Sequence, residues 1–202
     1  MQAAPADASE RARLFIALWP DADVRAALAA CGERWQWTAG AARVRPERLH
    51  LTLHFLGEVP RTLLPRLRPA LAVPFQPFTT TLSRAALWRG GVAVLEAEPV
   101  PAKMRQLYAA LGEALRQLGL PVEERPLRPH VTLARRAGAS LPPPEPLRLR
   151  WPAQGYALVE SRPQPEGGYV LLQRYPEPGA VEGRRPSVAG RSTNPEDPGN
   201  SG

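Results

Sequence analysis

The sequence predicts an α+β fold. Two pseudo-symmetric lobes, each with a mainly antiparallel sheet and helices on the outside, are expected to enclose a central cleft. Apolar alternation typical of strands and apolar stripes typical of helices are interspersed unevenly along the 202 residues, as in α+β proteins. Glycine pairs at residues 89–91 and 166–168 predict hairpins. The tetrapeptides HLTL at 50–53 and HVTL at 130–133 begin 80 residues apart (130 − 50), which indicates a duplicated half.

Local sequence signals place the individual elements. Asp21 suits a helix N-cap, Pro65 and Pro69 interrupt a helical stretch, and Pro101 and Gly119 bound the clearest helix. The strands are predicted from period-two alternation of apolar side chains. The predicted elements in chain order are a strand at 13–19, a helix from 20, a strand at 49–56, an irregular helix at 61–72, strands at 78–88 and 92–95, a helix at 101–118, and strands at 130–135, 147–151, 154–161 and 169–175.

Composition sets the domain boundaries and the predicted compartment. Residues 1–10 and 177–202 are predicted to be disordered, because the tail is rich in Gly, Pro, Ser and Arg and offers almost no large apolar side chain to a core. One folded domain is expected over residues 11–176, with 44% of the whole chain apolar. No apolar run reaches the roughly 18 residues of a membrane span. The start lacks a signal-peptide pattern and Cys31 is the single cysteine, which together favour the cytoplasm.

The charge of the chain favours a polyanionic partner. The formal net charge is +7; three Arg and four acidic residues follow position 175, so residues 1–175 carry 7 + 1 = +8. Lys103 is the only lysine, so 25 of the 26 basic residues are Arg. The planar guanidinium of Arg suits bidentate phosphate contacts. Such a composition is equally typical of a protein from a GC-rich genome, so charge alone does not decide the partner.

The repeated tetrapeptides carry the candidate catalytic residues. Side chains alternate along a strand, so His50 and Thr52 are expected on one face, roughly 7 Å apart. His130 and Thr132 form the same arrangement in the second copy. If the two strands meet at a pseudo-twofold cleft, each lobe contributes one imidazole and one hydroxyl to a common site.

Neighbouring residues extend this candidate site. His54 falls two positions beyond Thr52, on the same predicted face, and is a candidate substrate contact at the edge of the site, whereas Phe55 is expected on the opposite face. Arg135, which ends the second motif strand, is another candidate substrate contact. A zinc site at His50 and His54 is disfavoured, because positions i and i+4 on a strand are roughly 13 Å apart.

Two imidazoles and two hydroxyls match the needs of in-line displacement at a phosphodiester. One imidazole activates the nucleophile, the other protonates the leaving oxygen, and the hydroxyls hold the non-bridging oxygens. The sequence has no carboxylate cluster, Gly-rich phosphate loop or Cys/His array, so neither a metal nor a cofactor is expected. It also has no Gly-x-Ser-x-Gly stretch to support acyl transfer. The pattern does not decide which histidine is the acid.

At these residues the chain resembles the two-histidine (2H) phosphoesterase superfamily, which is defined by two His-x-Thr/Ser-x motifs. It is most similar to the bacterial and archaeal RNA 2′,3′-cyclic phosphodiesterases, also called 2′-5′ RNA ligases. The resemblance covers about residues 11–176. The stretches that carry it are RLFIAL at 13–18, LHLTLHFLGE at 49–58 and PHVTLAR at 129–135.

The resemblance implies a bilobal, metal-free enzyme that hydrolyses RNA ends bearing a 2′,3′-cyclic phosphate to 2′-phosphomonoesters. It implies His50 as the proton donor to the leaving 3′ oxygen and His130 as the proton acceptor from water. Thr52 and Thr132 are the corresponding phosphate-binding residues. We expect a monomer that needs no membrane and no obligate protein partner.

Two alternatives remain open at the level of sequence. The first is another 2H activity, such as reversible 2′-5′ RNA ligation or cleavage of a different cyclic-nucleotide or 2′-5′-linked substrate. The second is a non-catalytic module that binds RNA ends in the same cleft. Because both motifs keep their His and Thr, the sequence favours catalysis over binding alone.

Overall fold

The structure is a computed structural model that describes residues 10–162 and 167–177. The predicted disordered ends fall almost entirely at residues 1–9 and 178–202, which lie outside the described residues. Two short 3₁₀ turns, Pro46–Arg48 and Arg61–Leu63, accompany the regular elements. These elements are β1 (Arg11–Leu18), α1 (Ala22–Glu33), β2 (Ala42–Arg43), β3 (Leu51–Pro60), α2 (Leu64–Ala70), β4 (Phe78–Trp88), β5 (Val92–Ala97), α3 (Ala102–Gln117), β6 (His130–Arg135), β7 (Leu149–Ala153), β8 (Tyr156–Arg162) and β9 (Gly168–Tyr175).

The strands of the described residues form one antiparallel sheet in the order β7-β4-β5-β6-β3-β1-β8-β9, with β2 beside β6. The α+β class is confirmed, but the two separate sheets predicted from the sequence are one. Two halves, of five strands including β2 and of four strands, join where β3 meets β6, through the single residue pair Leu51 and Val131. Each of these residues follows a motif histidine, so the repeated motifs lie at the seam between the halves.

The helices supply the core of the molecule on one face of this sheet. Leu28 of α1, Leu67 of α2 and Leu111 of α3 are fully buried in one cluster with Leu14 of β1. Burying a Leu side chain contributes about 1.5–3 kcal/mol, so this face holds the fold together. The alternate side chains of β1, including Phe15, pack in a small separate cluster on the other face. That second face is left for the functional site.

Helix boundaries follow the signals in the sequence. The Asp21 side chain accepts a hydrogen bond from the Val24 amide at 2.8 Å and so caps α1. α3 begins after Pro101 and ends before Gly119, whose φ is +71°. The predicted irregular helix is a 3₁₀ turn followed by α2, with Pro65 in the first helical turn, where its missing N–H costs little. None of the helices in the described ranges is long and apolar enough to cross a membrane.

β3 is the element that departs most from its prediction. It begins two residues later and ends four residues further along the chain than expected. Its pairing with β1 is irregular at two places: Ala17 faces Thr52 but Ile16 faces His54, and a second skip lies beside Gly57, whose φ is +69°. An extra residue at a bulge turns the following side chains to the other face of the sheet. These irregularities decide which residues of β3 reach the site.

Candidate active site

The two motifs meet in one cavity at the seam of the sheet. His50 immediately precedes β3 and His130 is the first residue of β6. Both histidines line a cavity of about 1050 Å³ together with Thr52 and Thr132. The structure therefore brings the four residues of the repeated motifs together, as the sequence predicts.

The backbone holds both imidazoles in the same way. The Nδ1 of His50 lies 2.6 Å from the carbonyl oxygen of Arg48, and the Nδ1 of His130 lies 2.9 Å from the carbonyl oxygen of Arg128. A carbonyl oxygen only accepts hydrogen bonds, so Nδ1 is the protonated nitrogen in both rings. Nε2 is then the nitrogen that each ring offers to a substrate, as an acceptor when neutral and as a donor when protonated.

Aromatic rings surround His50. The ring centroids of Phe15 and Tyr169 lie 4.8 and 5.2 Å from that of His50, and Tyr169 meets it edge-on at 89°. Trp19 stacks on the same imidazole at 5.7 Å with an interplanar angle of 12°. These contacts fix the ring plane and exclude water from its sides.

This enclosure favours neutral His50 in the free protein. Burial lowers the pKa of His50 to about 4, although the hydrogen bond to the Arg48 carbonyl opposes the shift. The nearby His130 and Arg135 lower it further by charge repulsion. His50 is therefore uncharged at neutral pH in the free protein.

The surroundings of His130 are different. The Trp88 ring lies 4.3 Å away, and Glu96 is the residue directly opposite on β5. Burial also lowers the pKa of His130, but the hydrogen bond to the Arg128 carbonyl and the negative charge of Glu96 oppose this, while the Arg128 and Arg135 charges add to it. A buried carboxylate therefore favours the protonated form of one histidine of the pair.

The two threonines present unpaired hydroxyls to the cavity. Thr52 and Thr132 are half-buried and line its wall beside the histidines. Within residues 10–162 and 167–177, neither hydroxyl has a hydrogen-bond partner. Both hydroxyls are therefore free to donate to a ligand oxygen. Because Thr is β-branched and stiff at χ1, their positions are also preorganised.

The cavity has a cationic lining. Six arginines and two glutamates face it, which gives the lining 6 − 2 = +4 formal charges. Some of this charge is locally balanced, since Arg61 and Arg162 both form ion pairs with the buried Glu160. The arginines are Arg11, Arg13, Arg48, Arg61, Arg135 and Arg162. Their guanidinium groups make the cavity suited to phosphate-bearing ligands.

The arrangement provides an acid–base pair for chemistry at an anionic centre. Two Nε2 atoms can exchange protons with a bound group, and two hydroxyls with the surrounding arginines can stabilise developing negative charge. Among the described residues, no three or more His, Cys, Asp or Glu side chains are grouped to hold a metal ion. The groups present favour a reaction at phosphorus in which the two imidazoles transfer the protons.

Comparison with known proteins identifies the family. The sequence model described as LigT like Phosphoesterase matches residues 18–94. The chain is also 36% identical over 176 residues to the RNA 2′,3′-cyclic phosphodiesterase of Thermus thermophilus, an alignment that covers 81% of this chain and 89% of that protein. The chain belongs to the LigT-like phosphoesterase family.

Further relatives of this LigT-like phosphoesterase agree in sequence and fold. The RNA 2′,3′-cyclic phosphodiesterase of Escherichia coli is 34% identical over 160 residues, which cover 75% of this chain and 85% of the relative. The crystal structure of E. coli LigT complexed with 3′-AMP superposes with a TM-score of 0.72 at 29% identity. It covers 82% of this chain and 98% of the LigT chain. The similarity thus extends over most of each chain.

The structure corrects the predicted placement of His54. His54 is 2% exposed, its Nε2 donates to the Tyr108 carbonyl at 2.8 Å, and its ring stacks on the Tyr108 ring at 4.1 Å. It therefore lies in the core against α3 and not in the cavity. Phe55, which the alternation placed on the opposite face, lines the cavity with 54% of its surface exposed. The bulge after Thr52 exchanges the faces of these two residues.

Arg135 lies where the sequence places it. It lines the cavity with both motif histidines, and its charge lowers the pKa of each. Its role as a substrate contact stays a prediction.

Sequence reasoning missed the residues that surround the two imidazoles. Phe15, Trp19 and Tyr169 lie outside the two histidine motifs, and they reach His50 only through the folding of the sheet. Glu96 could have been found from the sequence, because it is a charged residue in the otherwise apolar strand VAVLEA. A charge at a buried strand position requires a partner, and this requirement points to a polar cluster beside the second motif.

Proposed function

We propose that this LigT-like phosphoesterase hydrolyses RNA ends bearing a 2′,3′-cyclic phosphate to 2′-phosphomonoesters by metal-independent acid–base catalysis. The observation that supports this most directly is the pair of imidazoles, each with Nδ1 tied to a backbone carbonyl and Nε2 left for the substrate. The activity itself is the one named for the relatives from T. thermophilus and E. coli. The two histidines supply both proton transfers, so no step requires a metal.

In the proposed reaction, His130 Nε2 takes a proton from a water molecule whose oxygen attacks the phosphorus. The new bond forms opposite the 3′ oxygen, and the bond from phosphorus to that oxygen breaks. His50 Nε2 gives its proton to the leaving 3′ oxygen, which becomes a hydroxyl. Each turnover thus moves one proton from His50 to His130, and exchange with solvent restores the starting state.

The electrostatics of the site support these roles. A bound phosphodiester is anionic and favours the protonated form of a nearby imidazole, and the stacked Trp19 ring further stabilises a cationic His50. Because burial lowers the pKa of His50 to about 4 in the free protein, the protonated ring is a strong acid toward the leaving oxygen. His130, opposite Glu96, is placed to hold the proton that it receives.

The hydroxyls and guanidinium groups stabilise the charge that grows on phosphorus-bound oxygens. Thr52 and Thr132 offer free donors beside the histidines, and preorganised donors of this kind typically contribute the largest share of transition-state stabilisation. Arg135 adds a positive charge that acts on both imidazoles. We assign it to the phosphate or to the terminal nucleotide.

The extent of the cavity supports RNA over a mononucleotide as the substrate. The cationic lining continues along β1 through Arg13 to Arg11, which lies four residues from Phe15 and so roughly 13 Å away along the strand. Phe55 is exposed in this part of the cavity, with the Arg13 guanidinium 5.1 Å from its ring centroid. Arginines suit the phosphates of upstream nucleotides, and an exposed ring suits stacking with a base.

A turnover assay tests the proposal. A short RNA with a 2′,3′-cyclic phosphate end is incubated with the protein in excess EDTA, and the product is identified by ³¹P NMR. Formation of the 2′-phosphomonoester is expected. A 3′-phosphomonoester, a requirement for added metal, joining of RNA ends without hydrolysis, or binding without turnover would each contradict the proposal.

A further inference from the structure

Glu96 is a buried carboxylate beside the histidine pair that the acid–base mechanism does not use. It is 4% exposed. Its carboxylate accepts hydrogen bonds from the Nε of Arg84 and from Trp88 Nε1, at 2.5 and 2.9 Å, and forms an ion pair with the Nε of Arg128 at 2.5 Å. A buried charge is costly unless it is paired in this way. The position therefore carries a fully partnered negative charge one strand away from the site.

The groups that Glu96 binds are the groups that hold the His130 ring. Trp88 packs on the imidazole at 4.3 Å between centroids. The Arg128 carbonyl accepts from His130 Nδ1 at 2.9 Å, and the Arg128 guanidinium lies 4.4 Å from the Trp88 ring centroid. Glu96 is also the direct cross-strand partner of His130. One carboxylate thus connects both contacts that orient this imidazole.

No equivalent carboxylate lies beside His50 among the residues that the structure describes. Its ring contacts are Phe15, Trp19 and Tyr169, and the charges that act on it are the cations of His130 and Arg135. The pair is therefore alike in its backbone tether and unlike in its charge environment.

We propose that Glu96 is a positioning residue for His130. Through Trp88 and Arg128 it fixes the orientation of the imidazole, and its charge stabilises the imidazolium that forms when His130 takes up a proton. Buried carboxylates play this part beside other catalytic histidines. The consequence for turnover rests on the proposed function, in which His130 is the proton acceptor.

The charges that face His130 determine whether a substitution favours or disfavours its protonated form. Glu96 is the acidic group that acts on it in the part of the chain that the structure describes, whereas Arg128 and Arg135 are cationic. Arg84 lies beyond Glu96 in the same row across β4, β5 and β6. Removing the carboxylate therefore disfavours protonated His130, and removing the Arg84 charge favours it.

The test uses the free protein, whose sequence contains only three histidines. Their proton resonances are followed by NMR against pH and assigned with His→Asn variants. In Glu96→Gln, the His130 titration midpoint should fall by about one pH unit, and the acidic limb of kcat/KM should move to lower pH with it. Glu96→Asp keeps the charge and should restore most of the midpoint. Glu123→Gln, which removes an exposed carboxylate paired with Arg125, should leave it unchanged.

A second variant keeps the inference testable if Glu96→Gln does not fold. Arg84 has 54% of its side chain exposed, so Arg84→Gln should fold, and it should raise the His130 midpoint. General damage to the fold would not shift the His130 midpoint in opposite directions in the two variants. An unmoved His130 midpoint in either folded variant, or shifts of the same sign, would overturn the inference. If the histidine midpoints shift as expected but the protein fails to hydrolyse cyclic-ended RNA, the result would instead contradict the proposed function.

Discussion

His50 and His130 share one backbone contact but occupy different environments. Each ring donates a hydrogen bond from Nδ1 to the carbonyl oxygen two residues earlier, which follows from the repeated motif. Trp19 stacks on the first ring and Glu96 faces the second, and neither residue belongs to the repeat. The motif thus sets the shared geometry, whereas residues on neighbouring strands make the two histidines chemically different.

Replacing either motif histidine should abolish turnover. His50→Ala removes the proposed acid and His130→Ala the proposed base, and each loss should lower kcat by roughly 10²–10⁴-fold. Both rings lie at the cavity and not in the main core, so the variants should fold. Circular dichroism and single-turnover rates on cyclic-ended RNA check this. A folded variant with near-normal kcat would refute the acid–base assignment.

The pH profile of kcat/KM should be bell-shaped, with its acidic limb below pH 6.5. Burial lowers the pKa of both histidines from the usual 6.5, and the base must be neutral to accept a proton. On the acidic side, activity is therefore lost as the pH falls through these lowered values, and the basic limb follows the loss of the proton that the acid must donate. The limbs belong to the coupled pair and not to single residues. An acidic limb above pH 7, measured with saturating and limiting substrate, would contradict the environments described.

The threonine hydroxyls should contribute less than the imidazoles. Thr52→Val and Thr132→Val keep the side-chain shape and delete a donor aimed at the phosphate oxygens, so kcat should fall by roughly 10–10³-fold at each site. Thr81→Val on β4, which does not line the cavity, is the matched control. If the motif variants retain the activity of that control, the threonines act only as strand formers.

At the scale of elements, the course of β3 determines which side chains enter the cavity. Its register with β1 shifts after Thr52, which sends His54 to the core and Phe55 to the cavity. Gly57 accommodates the second irregularity with a positive φ. A strand of perfect alternation would have produced the reverse arrangement.

His54 should therefore matter for stability and not for catalysis. His54→Ala removes a buried ring that stacks on Tyr108 and bonds its carbonyl. The free energy of unfolding should fall by about 2–3 kcal/mol, with kcat near normal at a temperature where the variant is folded. Urea denaturation and turnover rates check this, and His50→Ala gives the opposite pattern. A loss of kcat without a loss of stability would show that His54 acts in the catalytic site.

The sequence was sufficient for the longer helices and strands, though not for the two-residue β2, and for the placement of the four motif residues, because these depend on local periodicity and a repeated pattern. Strand alternation placed His50 and Thr52 together, and capping signals bounded α1 and α3. The face of His54 was wrong because a bulge is a property of two paired strands. The merging of two sheets into one rests on a single pair, Leu51 and Val131, which no local signal encodes.

For the whole molecule, the sheet separates stability from function. The helices cover one face and bury the main core, while the cavity occupies the other face and draws residues from both halves. Positive charge is concentrated there, from the histidine seam to the far end of β1 at Arg11. This length supports the proposal that the substrate is a chain of nucleotides.

This geometry predicts that activity depends on substrate length through Phe55. Stacking of a base on an aromatic ring is worth about 1–3 kcal/mol, so Phe55→Ala should lower kcat/KM for a cyclic-ended oligonucleotide by roughly 5- to 150-fold. The cyclic mononucleotide should be unaffected, since it has no second base to stack on Phe55. Leu141→Ala is the matched control, because Leu141 is similarly exposed at 57% but lies outside the cavity.

Salt provides an independent check on the same surface. Contacts between arginines and phosphates release counterions, so KM should rise with salt more steeply for the oligonucleotide than for the mononucleotide. Arg13, which lies over the Phe55 ring, should account for part of this difference, and Arg13→Gln should reduce the slope for the longer substrate alone. Equal losses of kcat/KM on both substrates in Phe55→Ala, or equal salt slopes for the two, would show that only the terminal nucleotide is bound.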